Sequence, residues 1–314
     1  MKIVPRKQLY KDLLVAVLTL GMVPSFVGCK QPAAAPATNT LAAQLDALRP
    51  TDAESLPLPA RALCINVIDV GQGDAFLLVS PNGMTMLVDA GTSDSFETVD
   101  AVLQTHAITT LDAVVATHPH ADHIGGMADV FASYEVAAFF WTGCEADSAC
   151  YNALCDAVDA EGCPVYTLDA DMAFYWDPDC VVTVLSPIPG CLYSDCNNAS
   201  LVLRIAYGDT AMLLCGDAGA QAEAFLLNRF EPSALHADVL KLGHHGSSDA
   251  TSDAFLAAVA PRYAVVSVGA DNSYGHPHTE TLSRLANAGI PLYRTDCDGF
   301  IQILLDGTNV IVRP

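Results

Sequence analysis

"ATHPHADHIGG", residues 116–126, sets His118, His120, Asp122 and His123 within six positions and follows them with Gly125 and Gly126. The 314-residue chain has nine histidines, so a third of them fall in this one stretch. Just upstream, "LDAVVATH" is an apolar run that reads as a buried strand delivering His118 at its C-terminal end. Imidazoles at alternate positions past a strand can converge on one point, while Asp122 and His123 turn towards a second. Neutral imidazole and carboxylate suit zinc, manganese or iron, and an acceptor behind each ring usually fixes its orientation. The two glycines let the backbone pass close to the start of a helix. A histidine pair alone has an ordinary structural explanation; four ligand-type residues in six positions after a strand point to a metal centre.

Outward from this stretch the chain alternates short strands and helices from about residue 61. "LCINVIDVG", "DAFLLVS" and "MTMLVDAG" are strand-like, and "SDSFETVDAVLQTHAI" is a capped amphipathic helix. "SLVLRIAYGDTAMLLCGD" reads as two strands joined at Gly208-Asp209, a hairpin signal. "DVLKLGHHGS", "YAVVSVG" and "FIQILLDGTNVIV" add strands, with helices at roughly 218–230, 251–260 and 279–289. The mixture has no repeated strand–helix–strand period, so two sheets packed together with helices outside are expected.

The N-terminus reads differently. Lys2, Arg6, Lys7 and Lys11 precede "LLVAVLTLGMVPSFVG", sixteen residues that are too short to span a bilayer, are interrupted by Pro24 and stop at Cys29. This resembles a bacterial lipoprotein signal over residues 1–28 with Cys29 as the lipidated residue; Phe26 departs from the usual aliphatic residue, and a plain secretory signal or uncleaved anchor is the alternative. Residues 29–60, rich in Ala, Pro and Thr, read as a flexible tether before a domain over 61–314. Of eleven cysteines, ten remain without Cys29. No CxxC pair occurs, so in an oxidising compartment they are expected to form mostly disulfides, with Cys64 and Cys215 simply buried.

The stretches "IDVGQGDA", "LVDAG", "THPHADHIGG", "NNASLVL", "LLCGD", "LKLGHHGS", "YGHPH" and "RTDCDG" follow one another as in one branch of the metallo-β-lactamase superfamily. That branch holds the ComEC/Rec2-like competence hydrolase domains and resembles surface phosphorylcholine esterases. The resemblance covers about residues 63–306. It implies an α/β four-layer αβ/βα sandwich, two mixed sheets with outer helices, and two divalent metal ions, zinc or manganese, at the sheet edge. By position His118 and His120 would bind the first ion, Asp122 and His123 the second, and Asp217 both. The last ligand would come from "GHHGS", either His244 or His245, with His245 favoured by analogy. Asp89 resembles a carboxylate that orients a ligand histidine, and Asp69 and Asp74 would shape the loop beneath the site.

Classical members take a further histidine from the interval between His123 and Asp217, where this chain has none. Asn197 and Asn198 stand near that position, which makes the first site more oxygen-rich and argues against a β-lactamase. Two ions about 3.5–4 Å apart can activate a bridging water and polarise the bond under attack, which suits displacement at phosphorus. Asp122, His244, His276 and His278 are the candidate catalytic residues, and Lys241, Asn198, His276 and His278 the candidate substrate contacts. A protonated imidazole on the "YGHPH" loop could hold a phosphate oxygen or protonate a leaving group.

The expected function is an exported, lipid-anchored phosphodiesterase. The alternatives are a non-catalytic extracellular binding module and a hydrolase of lactones, thioesters or β-lactams. The formal net charge is −22 and only ten basic residues follow Lys11. A basic track for duplex DNA is therefore not expected, a small or short phosphodiester fits better, and no obligate protein partner is evident.

Overall fold

The computed structural model describes residues 38–50 and 59–314. The expected signal segment, Cys29 and residues 30–37 and 51–58 of the expected tether lie outside the described residues.

Two mixed sheets form the molecule. The first holds β1 (Leu63–Val67), β2 (Ala75–Val79), β3 (Thr85–Ala90), β5 (Ala113–Ala116), β7 (Phe139–Trp141) and β8 (Val165–Thr167), and is completed beside β1 by β16 (Ile301–Leu305) and β17 (Val310–Arg313). The second runs in the order β15 (Leu292–Arg294), β14 (Tyr263–Val266), β13 (Val239–Lys241), β12 (Thr210–Leu214), β11 (Val202–Tyr207), β10 (Cys180–Ser186) and β9 (Ala173–Asp177). Among the strands of the first sheet in sequence, β4 (Thr110–Leu111) and β6 (Glu135–Val136) pair separately.

The central strands are largely apolar because each sheet is covered on both faces, the situation in which alternation disappears, whereas the edge strands β8 and β17 keep exposed or half-buried positions. In β3, Met86 and Val88 enter the core between the sheets while Leu87 faces outward. In β12, Met212 and Leu214 face the inter-sheet core and Ala211 and Leu213 the opposite side. Against the outer face of the first sheet lie α2 (Phe96–Thr105), α3 (Ala121–Ile124), α4 (Met127–Ser133) and α5 (Ala149–Glu161). Against that of the second lie α6 (Ala220–Arg229), α7 (Pro232–Leu235), α8 (Asp253–Val259) and α9 (Thr279–Ala288), with α10 (Thr295–Asp298) after β15. The result is the four-layer αβ/βα sandwich.

One expected boundary is corrected. Residues 38–50, read as tether from their composition, include α1 (Thr38–Asp46), which packs on α9. Leu41 and Leu45, four apart and so on one face, join the core that contains Leu282 and Leu285. Arg49 then reaches Asp298 with two bonds of 2.8 and 2.7 Å and sits 4.4 Å from the Tyr293 ring centre. Among the described residues no helix is long and apolar enough to cross a membrane.

The cysteines also differ from expectation. Cys144 and Cys196 form a disulfide that joins the loop after β7 to the loop before β11. Cys64, Cys150, Cys155, Cys180, Cys191, Cys215 and Cys297 remain thiols. Cys180 and Cys215 are buried among apolar side chains, and burial pushes the Cys180 thiol up to about 12.

Candidate metal centre

The site is built at the C-terminal ends of parallel strands from both sheets. β3 and β5 are parallel neighbours, as are β12, β13 and β14. Asp89 leaves β3, His118 leaves β5, Asp217 follows β12, His245 follows β13 and Ser267 follows β14. Asp89 has a left-handed backbone (φ 56°), which turns its carboxylate beneath the metal loop. It accepts from Thr117 N at 2.8 Å, from Thr117 Oγ1 at 2.6 Å and from His123 Nδ1 at 2.8 Å. Asp89, expected to orient a ligand histidine, thus lies against His123 Nδ1 and leaves Nε2 pointing the other way.

Close backbone approach does the rest. Asp74 N donates to Asp122 O at 3.1 Å, and a Cβ on Gly73 would lie 2.4 Å from that same oxygen. His244 and His245 both occupy left-handed conformations (φ 47° and 51°), which are costly for residues with a side chain and here swing both rings to the sheet edge. His245 Nδ1 donates to Ser267 O at 2.9 Å, which leaves Nε2 as the nitrogen facing the site.

Asp217 stands between two groups. Its Oδ1 lies 3.2 Å from His123 Nε2 and 3.4 Å from His245 Nε2. Its Oδ2 lies 3.8 Å from His118 Nε2 and 3.8 Å from His244 Nε2. Asp122, His123, Asp217 and His245 form one set of converging ligand atoms, and His118, His120 and Asp217 a second. All six expected ligands are therefore brought together, with one carboxylate common to both sets. Seven of the nine histidines meet here, since ring contacts run from His120 through His118, His123, His245 and His244 to His276 and His278.

The donor set fits divalent cations. Buried polar atoms are almost always hydrogen-bonded, yet His118 Nε2, His123 Nε2, His245 Nε2 and Asp217 Oδ1 are buried without such a partner. Asp74 Oδ1, Asn197 Oδ1, His244 Nδ1 and His276 Nδ1 are in the same condition around them. The electrostatics agree. Burial alone would raise the Asp217 pKa, but the imidazoles of His245 and His123 outweigh it and hold the carboxyl well below the usual carboxylate range. Burial and the neighbouring His123 keep His118 well below the ordinary histidine value, so it is neutral as a ligand must be. Around His123 burial is outweighed by Asp217 and Asp89, which draw positive charge to that spot.

Other expected site residues fall elsewhere. Lys241 is fully buried, with Nζ paired to the Asp74 carboxylate and donating to Gly216 O at 3.1 Å, so it cannot meet a substrate. Asp69 is exposed and only accepts from Gly71 N at 3.2 Å; it shapes the loop, while the buried carboxylate beneath the ligands is Asp74, 3.6 Å from His245 Nδ1 and 3.8 Å from His123 Nδ1. Asn198 spends its amide on Ser194, Asp195 and the start of α6, and Asn197 instead approaches His244 Nε2 at 3.4 Å. His278 accepts from Ser248 N at 2.9 Å and its Nε2 faces Tyr274 O at 3.1 Å, so both ring nitrogens are engaged in holding the loop. His276 does lie beside His244, its ring centre 5.6 Å away, but burial and the surrounding imidazoles lower it to about 4 and keep it neutral. Among the imidazoles at the rim, His244 is favoured in its charged form, raised mainly by Asp249, 3.5 Å from its Nδ1. Asp249 and the Cys144–Cys196 bond were not singled out by the sequence, where neither is near the metal motif.

Comparison with known proteins points to one superfamily. The model of the metallo-beta-lactamase superfamily matches residues 68–139. ComE operon protein 3 of Bacillus subtilis is 29% identical over 262 residues, covering 76% of this chain and 32% of the relative. Competence protein ComA of Neisseria gonorrhoeae is 32% identical over 251 residues, covering 78% of this chain and 33% of the relative. The chain thus spans about a third of the length of the curated relatives it matches. Among solved structures, the metallo hydrolase Igni18 of Ignicoccus hospitalis is similar at 14% identity and a TM-score of 0.48, over 80% of this chain and 99% of that one. From its motifs, its layers and these relatives, the chain carries a metallo-β-lactamase superfamily domain of the ComEC/Rec2-like branch.

Proposed function

We propose that this hydrolase is an exported, metal-dependent phosphodiesterase that holds two divalent ions. The observation that carries the reading is the placement of Asp217, with one carboxylate oxygen towards His123 and His245 and the other towards His118. His118, His120 and Asp217 would hold one ion, and Asp122, His123, His245 and Asp217 the other. Bound there, a pair of divalent ions supplies Lewis-acid chemistry and activates a water for attack at phosphorus.

The chain's own residues supply the rest. Asp89 holds the His123 ring and Ser267 O holds the His245 ring, so neither imidazole needs to reorient during the reaction. His244, held towards its charged form by Asp249, offers a donor to a phosphoryl oxygen at the half-buried rim. His276, neutral beside it, can accept or relay a proton through Nδ1, which has no other partner. Similarity to competence proteins and the missing histidine before Asp217 favour a phosphodiester over a β-lactam. The ten basic residues after Lys11 favour a small or short substrate. Export with a lipid anchor at Cys29 rests on the basic, apolar, Gly-Cys start.

The test compares turnover of bis(p-nitrophenyl) phosphate with that of nitrocefin and a lactone under matched zinc or manganese loading. Hydrolysis of the phosphodiester is expected. Activity confined to nitrocefin or the lactone refutes the assignment, and silence on all three favours a binding module. Mass spectrometry of the mature native protein should show a lipidated Cys29 at its N-terminus, and an intact Met1 would exclude the anchor.

A further inference from the structure

A cavity of about 180 Å³ opens between α5 and the first sheet, directly beside the metal loop. His118 and Pro119 form one wall; Phe139, Trp141, Leu154 and Val158 form most of the others. The space is partly open to solvent, with Val165 exposed at its edge, and water against a largely apolar lining is readily displaced by an apolar group. We propose that it receives a compact, uncharged apolar group of the substrate, about the size of a benzene ring, attached to the phosphodiester held at the metal centre. This rests on the phosphodiester reading above and names the kind of ester that the site takes.

Size, chemistry and position all bear on this. An apolar cavity of about 150 Å³ stays dry and binds benzene, so the observed volume suits one ring or a branched chain of similar bulk. The lining contains no Lys or Arg, so the phosphate itself belongs at the metals and not here. Thr142, Tyr151 and Asp159 also line it, but the surface it offers is predominantly apolar, so a nucleobase, most of whose polar atoms would be buried without partners, is disfavoured. The position ties the cavity to the chemistry, because the His118 that walls it also presents Nε2 towards Asp217.

The walls are fixed rather than collapsible. Trp141 on β7 leans on Tyr151 of α5, their ring centres 6.3 Å apart. Cys144, another wall residue, is bonded to Cys196, whose neighbour Asn197 approaches His244. The cavity and the far rim of the metal site are thereby tied by one covalent link.

The experiment is calorimetric titration of the full, metal-loaded chain with benzylphosphonate and with methylphosphonate, which share an anion and differ in the apolar group. Burial of the ring should make benzylphosphonate bind about tenfold more tightly or better. Val158→Phe, which fills the cavity, should bring that ratio close to one while methylphosphonate binding stays unchanged. Equal affinities in the unmodified protein overturn the assignment, whether or not the variant folds. Toluene alone, followed by Trp141 fluorescence with Trp141→Phe as control, needs no phosphorus chemistry. Toluene binding without turnover of any phosphodiester leaves the cavity assignment standing and sinks the phosphodiester reading. Phosphodiester turnover with no preference for the benzyl ligand does the reverse.

Discussion

Replacing Lys241 by methionine should destabilise the protein severely while leaving substrate affinity almost untouched. The ammonium is buried together with the Asp74 carboxylate it pairs with, and its remaining contact is the carbonyl of Gly216. Removing one member of a buried pair strands the other charge, which costs about 3–5 kcal/mol. For a domain of this size that corresponds to a melting temperature lower by roughly 6–20 °C. The ring nitrogens Nδ1 of His245 and His123 lie 3.6 and 3.8 Å from Asp74, so its unpaired charge falls directly behind two metal ligands. Lys241→Met/Asp74→Asn removes the stranded charge and should recover a large part of the loss. The assay is thermal denaturation followed by circular dichroism, in excess chelator so that metal binding does not contribute. A melting temperature within about 2 °C of the unmodified protein, together with a raised KM, would refute the reasoning and return Lys241 to the substrate.

Three shorter expectations go with it. His276 should titrate near 4 by NMR, and stability should decline as pH falls from the unfolded-state value of 6.5 towards 4, because only the unfolded chain takes up the proton in that window; His276→Gln should lose that component, and a midpoint at or above 6.5 contradicts it. Cys196→Ser opens a link across 52 residues and should cost about 2–4 kcal/mol by urea denaturation, with no loss contradicting a formed bond. Gly73→Ala should weaken metal retention in a chelator competition, since its Cβ would press on the Asp122 carbonyl 2.4 Å away; unchanged retention contradicts that contact's role.

Much of the site was legible because it is local. A buried strand followed by alternating and adjacent ligand-type residues marks the metal loop by spacing, whereas the parts expected of "LLCGD" and "GHHGS" came from the resemblance to the superfamily. What sequence could not supply is what lies opposite a side chain. Lys241 ends the strand whose Val239 faces the inter-sheet core, so alternation by two places Lys241 on that same inward face. The partner that makes its burial tolerable, Asp74, is distant in sequence and was read only as a loop former. His278 was singled out with His276 because both stand in "YGHPH", yet only His276 has a ring nitrogen left over; Ser248 and Tyr274 consume those of His278. The helix at residues 38–46 escaped because an Ala- and Pro-rich background hides a single pair of leucines four apart. Cysteine pairing was beyond reach in principle, since Cys144 and Cys196 meet only once both sheets are formed.

The most direct test of the whole account is the metal content of the purified chain after reconstitution and removal of loose ions. Elemental analysis should return two divalent ions per chain, with Asp217→Ala losing both because its two oxygens face the two ligand sets. His118→Ala should lose one and keep the ion held by Asp122, His123 and His245. A chain that retains no ion, or an Asp217→Ala variant that keeps two, would contradict the shared-carboxylate centre on which the proposed chemistry depends.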